Sequence, residues 1–105
     1  MSIATIDIQP RVVAIAFVDD KLAVTLEDGR SVLAPLAWYP RLLHATQAER
    51  SAWRLFEDTD GRDIIFWEQL DELIPVVALL AGVPSRESMR SFDRWLAERR
   101  TLTTP

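Results

Sequence analysis

The sequence predicts an α+β fold: an N-terminal three-stranded antiparallel meander plus a later strand, packed with two short central helices and an amphipathic C-terminal helix. Three observations predict it. Alternating β-branched runs broken by turn residues fill positions 11 to 35. Pro40 and the segment Thr46-Gln-Ala-Glu49 carry helix-start signals. Apolar residues recur at helical spacing from Arg86 onward. At 105 residues the chain is one domain, long enough for a single core and too short for two.

Residues 1–10 are poorly defined, because Ile6 and Ile8 alternate like an edge strand but Pro10 ends any pairing. RVVAIAFV and KLAVTLE then flank the turn pair Asp19-Asp20. Asp28-Gly29 marks a second hairpin, and RSVLAP closes at Pro35, which has no N–H to give. Two-residue turns would place Phe17 opposite Leu22, Ile15 opposite Val24 and Val13 opposite Leu26. Across the second turn Glu27 would face Arg30 and Val24 would face Leu33. This register gathers the large apolar residues on one face. The other face, with Val12, Ala14, Ala16, Val18, Ala23, Thr25, Val32 and Ala34, is expected to be covered or offered to a partner.

The stretch from Leu36 to Phe56 turns a corner at Trp38-Tyr39, where Pro40 opens a short helix. Thr46 and Glu49 form a capping box for a helix expected to bury Trp53 and Phe56, with Arg50 and Arg54 on its wetter side. Asp58 to Gly61 reads as a turn, and RDIIFW as a fourth strand, apolar on both faces. VVALLA is a short apolar helix that Gly82 terminates. Ser85 is expected to cap a last helix from Arg86 to about Arg100, with Met89, Phe92 and Leu96 on one face and Trp95 at its margin. Residues 101–105 read as a frayed tail. Trp38, Trp53, Trp67, Phe92 and Trp95 are the expected structural core, since large aromatics in a small domain bury the most apolar area.

The absence of cysteine excludes disulfides and thiolate metal sites, and agrees with a cytoplasmic setting. No apolar run reaches the ~20 residues that span a bilayer, so no membrane role is expected. MSIATIDIQPR lacks the pattern of a signal peptide. The net charge of −4 argues against a surface that is basic throughout. Acids concentrate between positions 57 and 72, where Glu57, Asp58, Asp60, Asp63, Glu68, Asp71 and Glu72 face Arg62 alone. This run lacks the ligand spacing of a calcium loop and reads as an acidic, partner-binding edge. Arg86, Arg90 and Arg94 form an i, i+4, i+8 ridge, joined by Arg99 and Arg100, suited to carboxylate or phosphate. His44, the sole histidine, has no triad or metal partner at a recognisable spacing. No phosphate-binding loop, dinucleotide motif or nucleophile elbow is present. The expectation is therefore no enzyme, no catalytic residue, no metal and no cofactor.

The pieces LEDGRSVLAPLAWYPRL, HATQAERSAWRL, IIFW followed by LDELI and LLAG, and PSRESMRSFDRWLAERR together resemble the bacterial family called domain of unknown function 2442. The resemblance covers roughly residues 11 to 100, and its most specific elements are DGR, WYPRL, the AT-x-x-ER-x-x-W spacing and the final RWL. The chain departs from the family at Trp67-Glu68, where members often show Trp-Pro, and its loop is longer and more acidic. The resemblance implies an α+β domain with an antiparallel sheet. It also implies an antitoxin-like half of a two-protein module, with a small basic, toxin-like protein encoded nearby. Longer relatives that carry a helix-turn-helix region hint at transcriptional control. No catalytic residues come with the family. The leading expectation is a non-enzymatic protein-interaction module, acidic and antitoxin-like. The alternative is a DNA-binding regulator using the basic C-terminal helix, acting as a homo-oligomer.

Overall fold

The N-terminal runs form three strands in the computed structural model, which describes residues 10–103. They are β1 (Val12–Val18), β2 (Lys21–Leu26) and β3 (Ser31–Pro35), antiparallel and hydrogen-bonded in that order. The possible strand around Ile6 and Ile8 lies outside the described residues. In the first hairpin Phe17 does face Leu22 and Ile15 does face Val24, across a two-residue turn in which Asp19 takes φ 54°. A bulge between Val12 and Ala14 then sets Val12, not Val13, opposite Leu26.

The second hairpin departs from expectation by one residue. Val24 faces Val32 rather than Leu33, and Leu26 N–H donates to Arg30 O at 2.8 Å. Its loop is the three residues Glu27, Asp28 and Gly29. Gly29 closes that loop at φ 94°, a conformation open to glycine, while Asp28 Oδ1 accepts the Arg30 N–H at 3.0 Å. An Asp-Gly pair suits a two-residue or a three-residue loop equally, and the longer one turns Val32 and Ala34 inward. Leu33 and Val13 are left outside, 61% and 57% exposed.

A 3-10 turn over Leu36–Trp38 leads to α1 (Pro40–Leu43), with proline in its first turn, and then to α2 (Gln47–Ser51). Both halves of the capping box form: Glu49 N–H donates to Thr46 Oγ1 at 3.1 Å, and Thr46 N–H donates to Glu49 Oε1 at 2.8 Å. The expected continuation of this helix through Trp53 and Phe56 does not occur. Trp53–Glu57 is a strand, β4, antiparallel to β5 (Asp63–Trp67) through the Asp58–Gly61 turn. WRLFE alternates, and pairing to β5 satisfies its backbone while setting Trp53 and Leu55 on one face, Arg54 and Phe56 on the other. β5 gains a second neighbour, β6 (Glu72–Pro75), so it is the centre of a second three-stranded antiparallel sheet.

α3 (Val76–Leu80) ends at Gly82, whose φ is 74°. α4 spans Met89–Thr103. Its start differs from expectation: residues 84 to 88 are not helical, and Ser88 Oγ, not Ser85, accepts a first-turn N–H, from Ser91 at 3.1 Å. Residues 101 to 103 continue the helix rather than fray from it.

The inner faces of both sheets share one apolar cluster with Leu36, Tyr39, Leu42, Leu79, Phe92 and Trp95. Phe17 meets Trp67 edge-on at 6.5 Å, and the Trp67 indole N–H donates to Arg50 O at 3.0 Å. Trp67, Phe92 and Trp95 are buried, and Trp38 and Trp53 pack half-buried against them. Met89 is 72% exposed and takes no part in this core.

Candidate functional site

The register of the second sheet sorts its residues into two faces. Trp53, Trp67 and Glu72 align in one inward row, and Leu55, Ile65 and Ile74 in another. Phe56, Ile64 and Pro75, then Arg54, Phe66 and Leu73, form the rows of the outer face. Phe56 and Leu73 are 43% and 50% exposed, and the Phe56 and Phe66 rings meet edge-to-face at 5.9 Å. Exposed apolar surface of this kind, with aromatics near its middle, is what partner-binding patches are made of.

Acids frame this face at both ends. At one end the Asp58 carboxylate accepts N–H groups from Asp60 at 2.8 Å and Arg62 at 2.9 Å. Those bonds, the Arg62 N–H foremost, hold the Asp58 carboxyl below its ordinary range, so it is ionised at neutral pH. Arg62 pairs with Asp58 and Asp60, and Arg11 reaches Glu57 at 3.6 Å. At the other end Arg54 pairs with Glu68 at 3.3 Å, and Asp71 stands exposed in the left-handed conformation, φ 52°.

The seven acids of positions 57–72 do not form a single edge. Asp63 and Glu72 are only 6% and 7% exposed. Asp63 accepts from Arg11 Nη1 at 3.0 Å and from the Val12 backbone N–H at 2.8 Å, a structural brace between the sheets. Glu72 has its carboxyl pushed up to about 7, first by burial, then by Glu87 and Asp71, with Arg41 pulling the other way. Both residues therefore leave the partner-binding set. Glu57, Asp58, Asp60 and Asp71 stay at the rim.

The arginine ridge is also divided. Arg86 precedes α4 and is exposed, as are Arg90, Arg94 and Arg100. Arg99 turns inward, donating to both oxygens of Glu49 at 2.8 and 2.9 Å and lying 4.6 Å over the Trp95 ring. Asp93 and Glu98 are exposed on the same helix, so its outer surface is mixed in charge.

Sequence reasoning missed Arg41. It grips Glu87 at 2.9 and 3.0 Å, donates to Leu70 O at 2.8 Å and sits 5.4 Å over Trp95. No local pattern marks a pairing across so many positions. It missed β4 as well, although the alternation of WRLFE was visible. His44 is exposed with its ring tilted against Phe92 at 5.2 Å. Among the described residues no group of three or more acids and histidines is placed to hold a metal ion. Among them, too, no helix is long and apolar enough to cross a membrane.

The family model described as "Protein of unknown function (DUF2442)" matches residues 12–85. The match takes in both sheets and the whole outer face of β4, β5 and β6, while Arg86 and α4 lie beyond it. A solved protein of unknown function from Rhodospirillum rubrum ATCC 11170 is similar in fold, with a TM-score of 0.58 and 22% identity. The similarity covers 77% of this chain and 96% of that one. No curated protein matches the chain.

Proposed function

We propose, for a chain that belongs to the DUF2442 family of proteins of unknown function, a non-enzymatic role as a cytoplasmic, antitoxin-like interaction module. Its outer second-sheet face docks a small basic protein. The observation that carries this reading is the coincidence of exposed Phe56 and Leu73 with acids at both ends of the same strands. A central aromatic patch supplies the buried anchors of an interface, and charges of one sign at the rim select a partner of the other. The basic residues Arg54 and Arg62 on this face are each tied to acids of the same face, which leaves the rim acidic in sum.

Co-expression with the product of the neighbouring gene tests the proposal. The two should co-purify at low salt, and Phe56→Glu or Leu73→Glu should weaken binding by ten-fold or more, on the order of a hot-spot loss. No co-purification, or binding indifferent to both substitutions, defeats the reading. A gel shift with duplex DNA covers the alternative: salt-sensitive binding lost on changing Arg90 and Arg94 to Ala would make the chain a DNA-binding regulator instead.

A further inference from the structure

A cleft of about 370 Å³ opens between β6, α3 and the segment that leads to α4. Ile74, Ala78 and Val83 supply apolar wall, Arg86 lines it, and Tyr39 and Glu72 supply its buried polar atoms. Tyr39 is 2% exposed, and its phenol oxygen has no hydrogen-bond partner among the described residues. Buried polar atoms are nearly always satisfied, so an orphan hydroxyl lining a cleft marks a place for a ligand atom. Among the described residues no group hydrogen-bonds the carboxyl of Glu72, the second polar group.

The electrostatics around Glu72 choose the ligand's sign. Glu87 and Asp71 disfavour its charge, and Arg41 alone among the interacting groups favours it. Arg41 is itself closed on both carboxylate oxygens of Glu87. The Tyr39 phenol is pushed up by burial and by the Glu72 charge. Arg86 is exposed and does not figure among the groups acting on Glu72. The cleft thus offers the Tyr39 and Glu72 oxygens as acceptors, with two further acids, Glu87 and Asp71, acting on Glu72 and the Arg86 guanidinium on the exposed side. We propose that this cleft binds a primary ammonium group on an apolar stem, with Glu72 and Tyr39 oxygens accepting its N–H bonds and Ile74, Ala78 and Val83 covering the stem. A free alkylamine and a lysine side chain share this chemistry.

Titration of the full chain, followed by calorimetry and amide chemical shifts, tests the assignment with hexylamine, hexanol, hexanoate and Nα-acetyl-lysine methylamide. Hexylamine should bind at least about ten-fold tighter than hexanol or hexanoate, since only it neutralises the buried carboxylate. Its affinity should rise several-fold from about pH 6 to about pH 8 as Glu72 ionises. Glu72→Gln should cost ten-fold or more by the same argument, and Tyr39→Phe a few-fold with thermal stability retained. Binding of the lysine derivative as well as hexylamine would assign the cleft to a protein's lysine, whereas hexylamine alone would assign it to a free amine. Hexanoate binding that strengthens at low pH, equal binding of all four probes, or no binding at millimolar concentration would overturn the proposal.

Discussion

The carboxylate of Asp63, at the start of the second sheet's central strand, accepts the backbone N–H of Val12 at 2.8 Å, at the start of the first sheet's edge strand. The same carboxylate holds Arg11 at 3.0 Å, so one side chain satisfies a buried backbone donor and a cation from the opposing sheet. Asp63→Ala should cost about 1–3 kcal/mol, because it leaves the buried Val12 N–H without its acceptor, whereas Arg11 keeps water and Glu57. Asp63→Asn, which keeps an acceptor, should cost less. Chemical denaturation of the two variants checks the order, and equal losses would mean the brace carries little.

Glu72 should make the fold less stable as pH rises. Its pKa is raised from 4.5 to about 7 in the folded chain. The unfolded chain gives up this proton first, so it is favoured as pH climbs from about 4.5 to 7. The loss is roughly 3 kcal/mol at full ionisation, by the free-energy value of a pKa shift. Glu72→Gln should abolish that part of the slope and raise the melting temperature near pH 8. A variant with the parental slope would contradict the argument.

Glu49 should act in the opposite direction. Arg99 first, and then the Thr46 N–H, lower its carboxyl from 4.5 to about 2 against the cost of burial. Its contribution is present above about 4.5 and disappears as pH falls toward 2. Thr46→Ala removes half of the capping box and should cost about 1 kcal/mol. Glu49→Gln should flatten the acid limb of the stability curve, a change read directly from urea melts at several pH values.

Phe56 and Leu73 should be nearly silent for folding. Each sits on an outer strand face with about half its surface in water, so Phe56→Glu should shift stability by less than about 1 kcal/mol. The same change is expected to weaken partner binding by ten-fold or more. Circular dichroism melts run beside the binding measurement separate the two effects, and a collapse of the fold would show that the patch is structural.

Gly29 should resist substitution. Its φ of 94° places it where side-chain-bearing residues are strained, although no atom crowds the position a Cβ would take. Gly29→Ala should therefore cost about 1 kcal/mol from backbone strain alone. Gly29→Asn, better tolerated in left-handed conformations, should recover part of it.

By itself the sequence determined the elements whose signals are local. The first meander follows from alternation and turn residues, the capping box from the Thr46–Glu49 spacing, and the end of α3 from Gly82. The aromatic core was equally legible, since burial of so much apolar area leaves Trp67, Phe92 and Trp95 few alternatives. Tertiary structure decided what local signals leave degenerate. A one-residue difference in loop length exchanged Val32 and Ala34 for Leu33 on the inner face. Residues 53 to 57 and 72 to 75 pair with β5, which offers hydrogen bonds on both sides, a partnership that their local pattern does not specify. The two candidate surfaces belong to this second class. Acids that lie together in sequence are divided by the fold, with Asp63 and Glu72 buried and Glu57, Asp58, Asp60 and Asp71 left around the rim. A charge count along the chain cannot make that division, because which acids keep their water depends on what packs above them.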